Sequence, residues 1–187
     1  SGVDSVGSRL ALIDIASGAI TQVGPQGGAV DGFAWSPDGK RIIYSGNDSQ
    51  TYHGDIWLYD VESGERARLL EDLDWNPGTR FGGGMVAPPA WLDDRRVLFQ
   101  GSKGGATVLY VIDTEAGTAE LLREGQNFPG ALSVAANGSI AARAFNSLDA
   151  RGELVVVNLS DASAKRITSY SDEVLETHPQ ALWERFD

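Results

Sequence analysis

The chain has no cysteine, one methionine and two histidines among its 187 residues. The missing cysteines exclude disulfides, thiolate metal ligands and cysteine nucleophiles, though they leave the compartment open. The two histidines, His53 and His178, have no carboxylate or ligand partner in a recognisable spacing, so clustered histidine chemistry is absent too. No apolar run approaches the roughly 18 residues of a membrane helix. Ser1-Gly2-Val3-Asp4 lacks the basic segment and apolar run of a secretory signal, so the expectation is a cytoplasmic protein with no membrane partner. Positive charge is scarce: 15 Lys and Arg face 26 Asp and Glu, a net charge of -11. That balance opposes binding to phosphate backbones, and nucleic acid is not an expected partner. Helical periodicity is also lacking, whereas period-2 alternation runs through the chain, with turn residues about every 8 to 12 positions.

What the chain does have is a repeat. Phe33-Ala34-Trp35-Ser36-Pro37-Asp38-Gly39-Lys40-Arg41-Ile42-Ile43-Tyr44 reads as two antiparallel strands around a tight turn. A second hairpin follows, from Asp55-Ile56-Trp57-Leu58-Tyr59-Asp60 through Ser63-Gly64, and completes a four-stranded unit of the kind that forms a propeller blade. The segments ending at Asp14, Asp60, Asp113 and Asn158 align as third strands, a repeat of about 45 to 53 residues. Their terminal side chains suit Asx turns, which is why Asn158 can stand for aspartate. First strands align as Phe33-Ala34-Trp35-Ser36, Pro89-Ala90-Trp91-Leu92 and Leu132-Ser133-Val134-Ala135, so Trp35 and Trp91 are expected to pack between blades.

The expected fold class is therefore all-β: a partial propeller of about three and a half four-stranded blades. Residues 1–24 supply the outer two strands of an incomplete blade, residues 25–72, 73–125 and 126–173 one blade each, and residues 174–187 a linker. Such an arc is not closed by this chain alone. Its end sheets would show unpaired backbone and an apolar face, so missing polypeptide is expected to cover them, from a companion chain or another segment.

Trp35-Ser36-Pro37-Asp38-Gly39-Lys40 with Asp55-Ile56-Trp57-Leu58-Tyr59-Asp60 resembles the repeats of TolB-type propellers and of the prolyl oligopeptidase family of serine peptidases. The tail Glu173 to Asp187, with Glu184-Arg185-Phe186, resembles the segment by which acylaminoacyl-peptidase-like members pass from propeller to α/β-hydrolase domain. The resemblance implies the C-terminal part of a peptidase propeller that gates and positions short or acylated peptides. It implies partners as well: the remaining blades and a catalytic domain, with homo-oligomeric assembly left open. No Gly-x-Ser-x-Gly elbow occurs, so no catalytic residue carries over. A TolB-like protein-binding propeller with no catalytic domain is the alternative, and a channel-centred lyase or hydrolase a more remote third.

The long connection Asp72 to Met85 is the one place where residue types suggest ligand contact. Arg80 could hold a substrate carboxylate with its two-pronged guanidinium, while Trp75 and Phe81 could pack beside a peptide. An ordinary surface salt bridge is the plain reading of Arg80. Asp72 and Asp74 lack the oxygen ligands of a calcium loop, and Gly27-Gly28 and Gly104-Gly105 read as turns with no following helix. No metal and no cofactor is expected.

Overall fold

A computed structural model describes residues 9–24, 27–48, 54–77, 87–125, 131–145 and 152–178. Among these the chain forms antiparallel sheets and one short helix, and none of its helices is long and apolar enough to cross a membrane. The incomplete first blade is β1 (Ala11–Ile13) paired with β2 (Ile20–Gln22). The second orders β3 (Ala29–Trp35), β4 (Arg41–Asn47), β5 (Asp55–Asp60) and β6 (Arg66–Arg68) side by side.

In the third blade β7 (Asn76–Pro77) and β8 (Ala90–Trp91) both pair with β9 (Arg96–Lys103), followed by β10 (Ala106–Asp113) and β11 (Thr118–Gly125). The fourth runs β12 (Leu132–Val134), β13 (Ile140–Phe145), β14 (Glu153–Asn158) and β15 (Ala164–Arg166), with α1 (Asp172–Thr177) after it. This is the partial propeller expected from the repeat.

The sheets stack face to face, and the alternation of side chains along each strand sets which neighbour a residue meets. Val97 and Phe99 join Ile43, Ile56, Val108, Tyr110 and Ile112 between the second and third blades. Leu98 and Leu109, one position over, join Leu92 and Val157 between the third and fourth. A sheet covered on both faces needs apolar residues at consecutive positions, which is why Val97-Leu98-Phe99 and Ile42-Ile43-Tyr44 are unbroken runs and fully buried. Burial on that scale stabilises by about 1.5 to 3 kcal/mol per large side chain. Among the described residues, only one face is covered at the flanks. Ile13 and Ile20, directly opposite each other in β1 and β2, lie exposed on one outer face, and Leu154 and Ile167 are exposed in and just after the strands of the fourth blade.

The third-strand turns are Asx turns, as expected. Asp14 Oδ1 accepts the Ser17 N–H at 2.7 Å, Asp60 Oδ1 the Ser63 N–H at 2.8 Å, and Asn158 Oδ1 the Ser160 N–H at 2.9 Å. Asp113 Oδ1 accepts from Glu115 and Ala116. Because Arg95 Nε also donates to both Asp113 oxygens, at 2.8 and 2.7 Å, its carboxyl is held down at about 2. A glycine with positive φ follows in three of these turns, Gly18, Gly64 and Gly117; in the fourth blade Ala162 takes a φ of 56° instead.

Candidate functional site

The segment singled out for ligand contact is anchored differently from the irregular loop its composition suggests. Asn76 and Pro77 pair with Ser102 and Gly101 of β9, and Ala90 and Trp91 pair with Leu98 and Val97 of the same edge. The first strand of the third blade is thus split, with Pro77 and Ala90 both held on the innermost edge of the sheet. Arg80 and Phe81, like His53, lie outside the described residues.

Trp75 does not stand beside a ligand. It is buried and stacks on Tyr110 with ring centroids 4.4 Å apart and planes 7° apart. The approach is so close that a Cβ on Gly101 would meet the indole at 2.4 Å and the Asn76 carbonyl oxygen at 2.6 Å, so only glycine fits there. Asn76 Oδ1 accepts the Gly54 N–H at 3.2 Å and ties this corner to the second blade. Asp74 pairs with Lys103, whose pKa rises through that hydrogen bond. Among the described residues no group of three or more His, Asp or Glu side chains could hold a metal ion.

Innermost strands contact one another across blades through Trp91. Its Nε1 donates to the Ala34 carbonyl oxygen at 3.3 Å, and the Arg41 guanidinium lies 5.4 Å from its ring centroid while donating to the Asp94 carbonyl. Trp91 therefore packs between blades as expected. Trp35 has the equivalent strand position but is 46% exposed, and Phe33 beside it is 49% exposed.

No spacing or motif marks a role for Glu153. Its side chain is fully buried, and its carboxylate accepts from Thr168 Oγ1 and from the Ser171 N–H and Oγ, each of the latter at 2.7 Å. Those donors, Thr168 first, hold its carboxyl at about 2 against the opposing effect of burial. Thr168 Oγ1 in turn accepts the Leu154 N–H at 2.8 Å. This network fastens residues 168–172, where the chain leaves the last sheet, onto β14. Helix α1 follows and ends at His178, whose φ of -131° breaks the helix before Pro179.

No protein-family model and no curated protein matches the sequence. Solved structures do. TolB from Acinetobacter baumannii is similar with a TM-score of 0.65 at 21% identity over 87% of this chain and 38% of its own. Puromycin hydrolase is similar with a TM-score of 0.60 at 21% identity, over 85% of this chain and 24% of its own. Pyrococcus horikoshii acylaminoacyl peptidase is similar with a TM-score of 0.58 at 16% identity, over 86% of this chain and 28% of its own. The chain thus spans well under half of these neighbours' lengths, and at such identities the likeness is one of fold: a β-propeller segment of the kind that occurs both in TolB and in these peptidase and hydrolase structures.

Proposed function

We propose that this chain is the non-catalytic propeller segment of a serine peptidase of the prolyl oligopeptidase family, of the acylaminoacyl-peptidase-like branch, which gates and positions short or acylated peptides. The observation that carries this reading is the split inner strand of the third blade. Asn76–Pro77 and Ala90–Trp91 both pair with β9, so the two ends of the connection whose sequence includes Arg80 are held at the innermost edge of the sheet. A guanidinium there would pair with a peptide carboxylate, and the stacked sheets around it would act as a rigid sieve. In this reading the remaining blades and an α/β-hydrolase domain with the serine nucleophile complete the enzyme, no metal or cofactor takes part, and the assembly is cytoplasmic. A TolB-like binding propeller is the second reading, favoured by the fold likeness to TolB.

The two readings separate by experiment. Intact mass spectrometry of the native assembly should find polypeptide carrying the other blades and a Gly-x-Ser-x-Gly segment. That assembly should cleave acylated chromogenic peptides and lose activity to a serine-directed inhibitor, while this chain alone stays inactive. Arg80→Ala in the assembly should raise KM by about tenfold with little change in kcat, as expected for loss of a ground-state ion pair. An assembly without a nucleophile-elbow segment would leave the binding propeller as the answer.

A further inference from the structure

We infer that the open flank of the first blade receives a β-hairpin of the same chemistry as residues 33–44, and that Trp35 hydrogen-bonds to a main-chain carbonyl on its inner strand. This rests on the reading that further blades complete the ring, and it names what the nearest of them must look like. Three observations meet at this flank.

The first is the equivalence of Trp35 with Trp91. Trp91 lies opposite Val97, which faces the second blade, and its indole N–H reaches the carbonyl of Ala34 on that blade's innermost strand. Trp35 lies opposite Ile42, and Phe33 opposite Tyr44. Ile42 and Tyr44 pack with Leu10 and Val23 of the first blade, so Phe33 and Trp35 face that blade too. Ile42 and Tyr44 are buried under its outer strands, whereas Phe33 and Trp35 extend past them and stay half exposed. Trp35 has no hydrogen-bond partner among the described residues. The interface is continuous with an established one and stops where an innermost strand would begin.

The second is the space beside the hairpin turns. Gly138, in the turn of the fourth blade, lies so close to the inner strand of the third that a Cβ would meet the Leu92 carbonyl oxygen at 2.3 Å. Gly39 occupies the equivalent turn of the second blade, and a Cβ there would meet nothing within 4 Å. The third is the edge of β1. Its only partner among the described residues is β2, and the alternation of an antiparallel pair directs the main-chain groups of Ala11 and Ile13 to the other edge.

The second and third blades specify the occupant. Its second strand pairs with Ala11 and Ile13 as β4 pairs with β5, and is apolar on both faces. Its first strand carries a small residue where Ala34 stands, because only a small side chain lets an indole reach the backbone behind it. A basic residue after its turn would lie over Trp35 as Arg41 lies over Trp91.

The probe is a synthetic peptide with the sequence of residues 29–47 and Phe in place of its tryptophan, titrated into the full chain. The Trp35 indole N–H resonance, assigned by its loss in Trp35→Phe, should move downfield, and exchange of the Ala11 and Ile13 amides should slow by roughly tenfold or more. Phe33→Ala together with Trp35→Ala should abolish that protection. A second format, the same peptide sequence fused through a flexible linker ahead of Ser1, raises the effective concentration if the free peptide is too weak. No indole shift and no protection in either format overturns the inference. So does protection of Ala11 and Ile13 before any probe is added, whether from residues 1–8 or from a second copy seen by sedimentation. Failure here leaves the search for a nucleophile-elbow polypeptide untouched, and failure of that search leaves hairpin docking standing.

Discussion

The indole N–H of Trp91 donates to the carbonyl oxygen of Ala34 at 3.3 Å, one blade away. This bond, with Arg41 over the same ring, joins the innermost strands of the second and third blades. Trp91→Phe keeps an aromatic ring but leaves the Ala34 carbonyl without this donor, and should cost about 1 kcal/mol. Trp91→Ala should cost about 2 to 3 kcal/mol, because the side chain is only partly buried. Urea denaturation of both variants checks this, and an unchanged midpoint for Trp91→Phe would show that the hydrogen bond contributes nothing.

Gly101 tests the anchoring of the split strand. Gly101→Ala forces a methyl group into the Trp75 indole and the Asn76 carbonyl. The expected cost is about 3 kcal/mol, with loss of the Trp75 and Tyr110 stacking seen as a change in near-ultraviolet circular dichroism. An unchanged spectrum and midpoint would contradict the packing described for Trp75.

Ala162 holds a left-handed conformation that the other blades assign to glycine. Ala162→Gly removes that strain and should stabilise the chain by about 1 kcal/mol, raising the urea midpoint with an unchanged slope. The reciprocal change, Gly117→Ala, should destabilise by about as much. Arg123 donates to the Ala162 carbonyl at 3.0 Å, a bond that Ala162→Gly leaves in place.

Glu153 predicts an acid-sensitive attachment of the exit segment. Its carboxyl falls from an ordinary 4.5 to about 2 in the folded protein. The resulting stabilisation is fully present above about pH 4.5 and is lost as the pH drops through about 2. Asp113, held at about 2, and Asp14 and Asp60, also lowered, add dependence of the same sign. The signature of Glu153 is therefore a difference: Glu153→Gln should be less stable at neutral pH, lose less on acidification than the parent, and exchange the Ser171 amide faster. Parallel pH profiles for parent and variant would refute the assignment.

Much of this architecture was legible without coordinates because it is built from local chemistry. Pro37-Asp38-Gly39 closes one hairpin, Asp14, Asp60, Asp113 and Asn158 each bond their own following turn, and unbroken apolar runs mark strands buried on two faces. The split strand was hidden because Pro77 and the glycines at 82 to 84 read as loop residues, although Asn76 and Pro77 pair in the sheet. Trp75 looked like a ligand-contacting aromatic, since nothing near it in sequence announces Tyr110. Helix α1 is six residues long, too short for its period to show.

The sequence by itself determined the repeat, the turn chemistry and the direction each strand residue faces, since these follow from spacing and from bonds between near neighbours. Only the tertiary structure decided which faces are covered. Trp35 and Trp91 each follow an alanine and hold the same place in a strand, yet Trp91 is bonded across a blade interface and Trp35 is half exposed, because burial depends on what stacks against a sheet. Glu153 makes the same point from inside: a strand-end carboxylate acquired its partners from residues 15 and 18 positions away, which the fold alone brought to it.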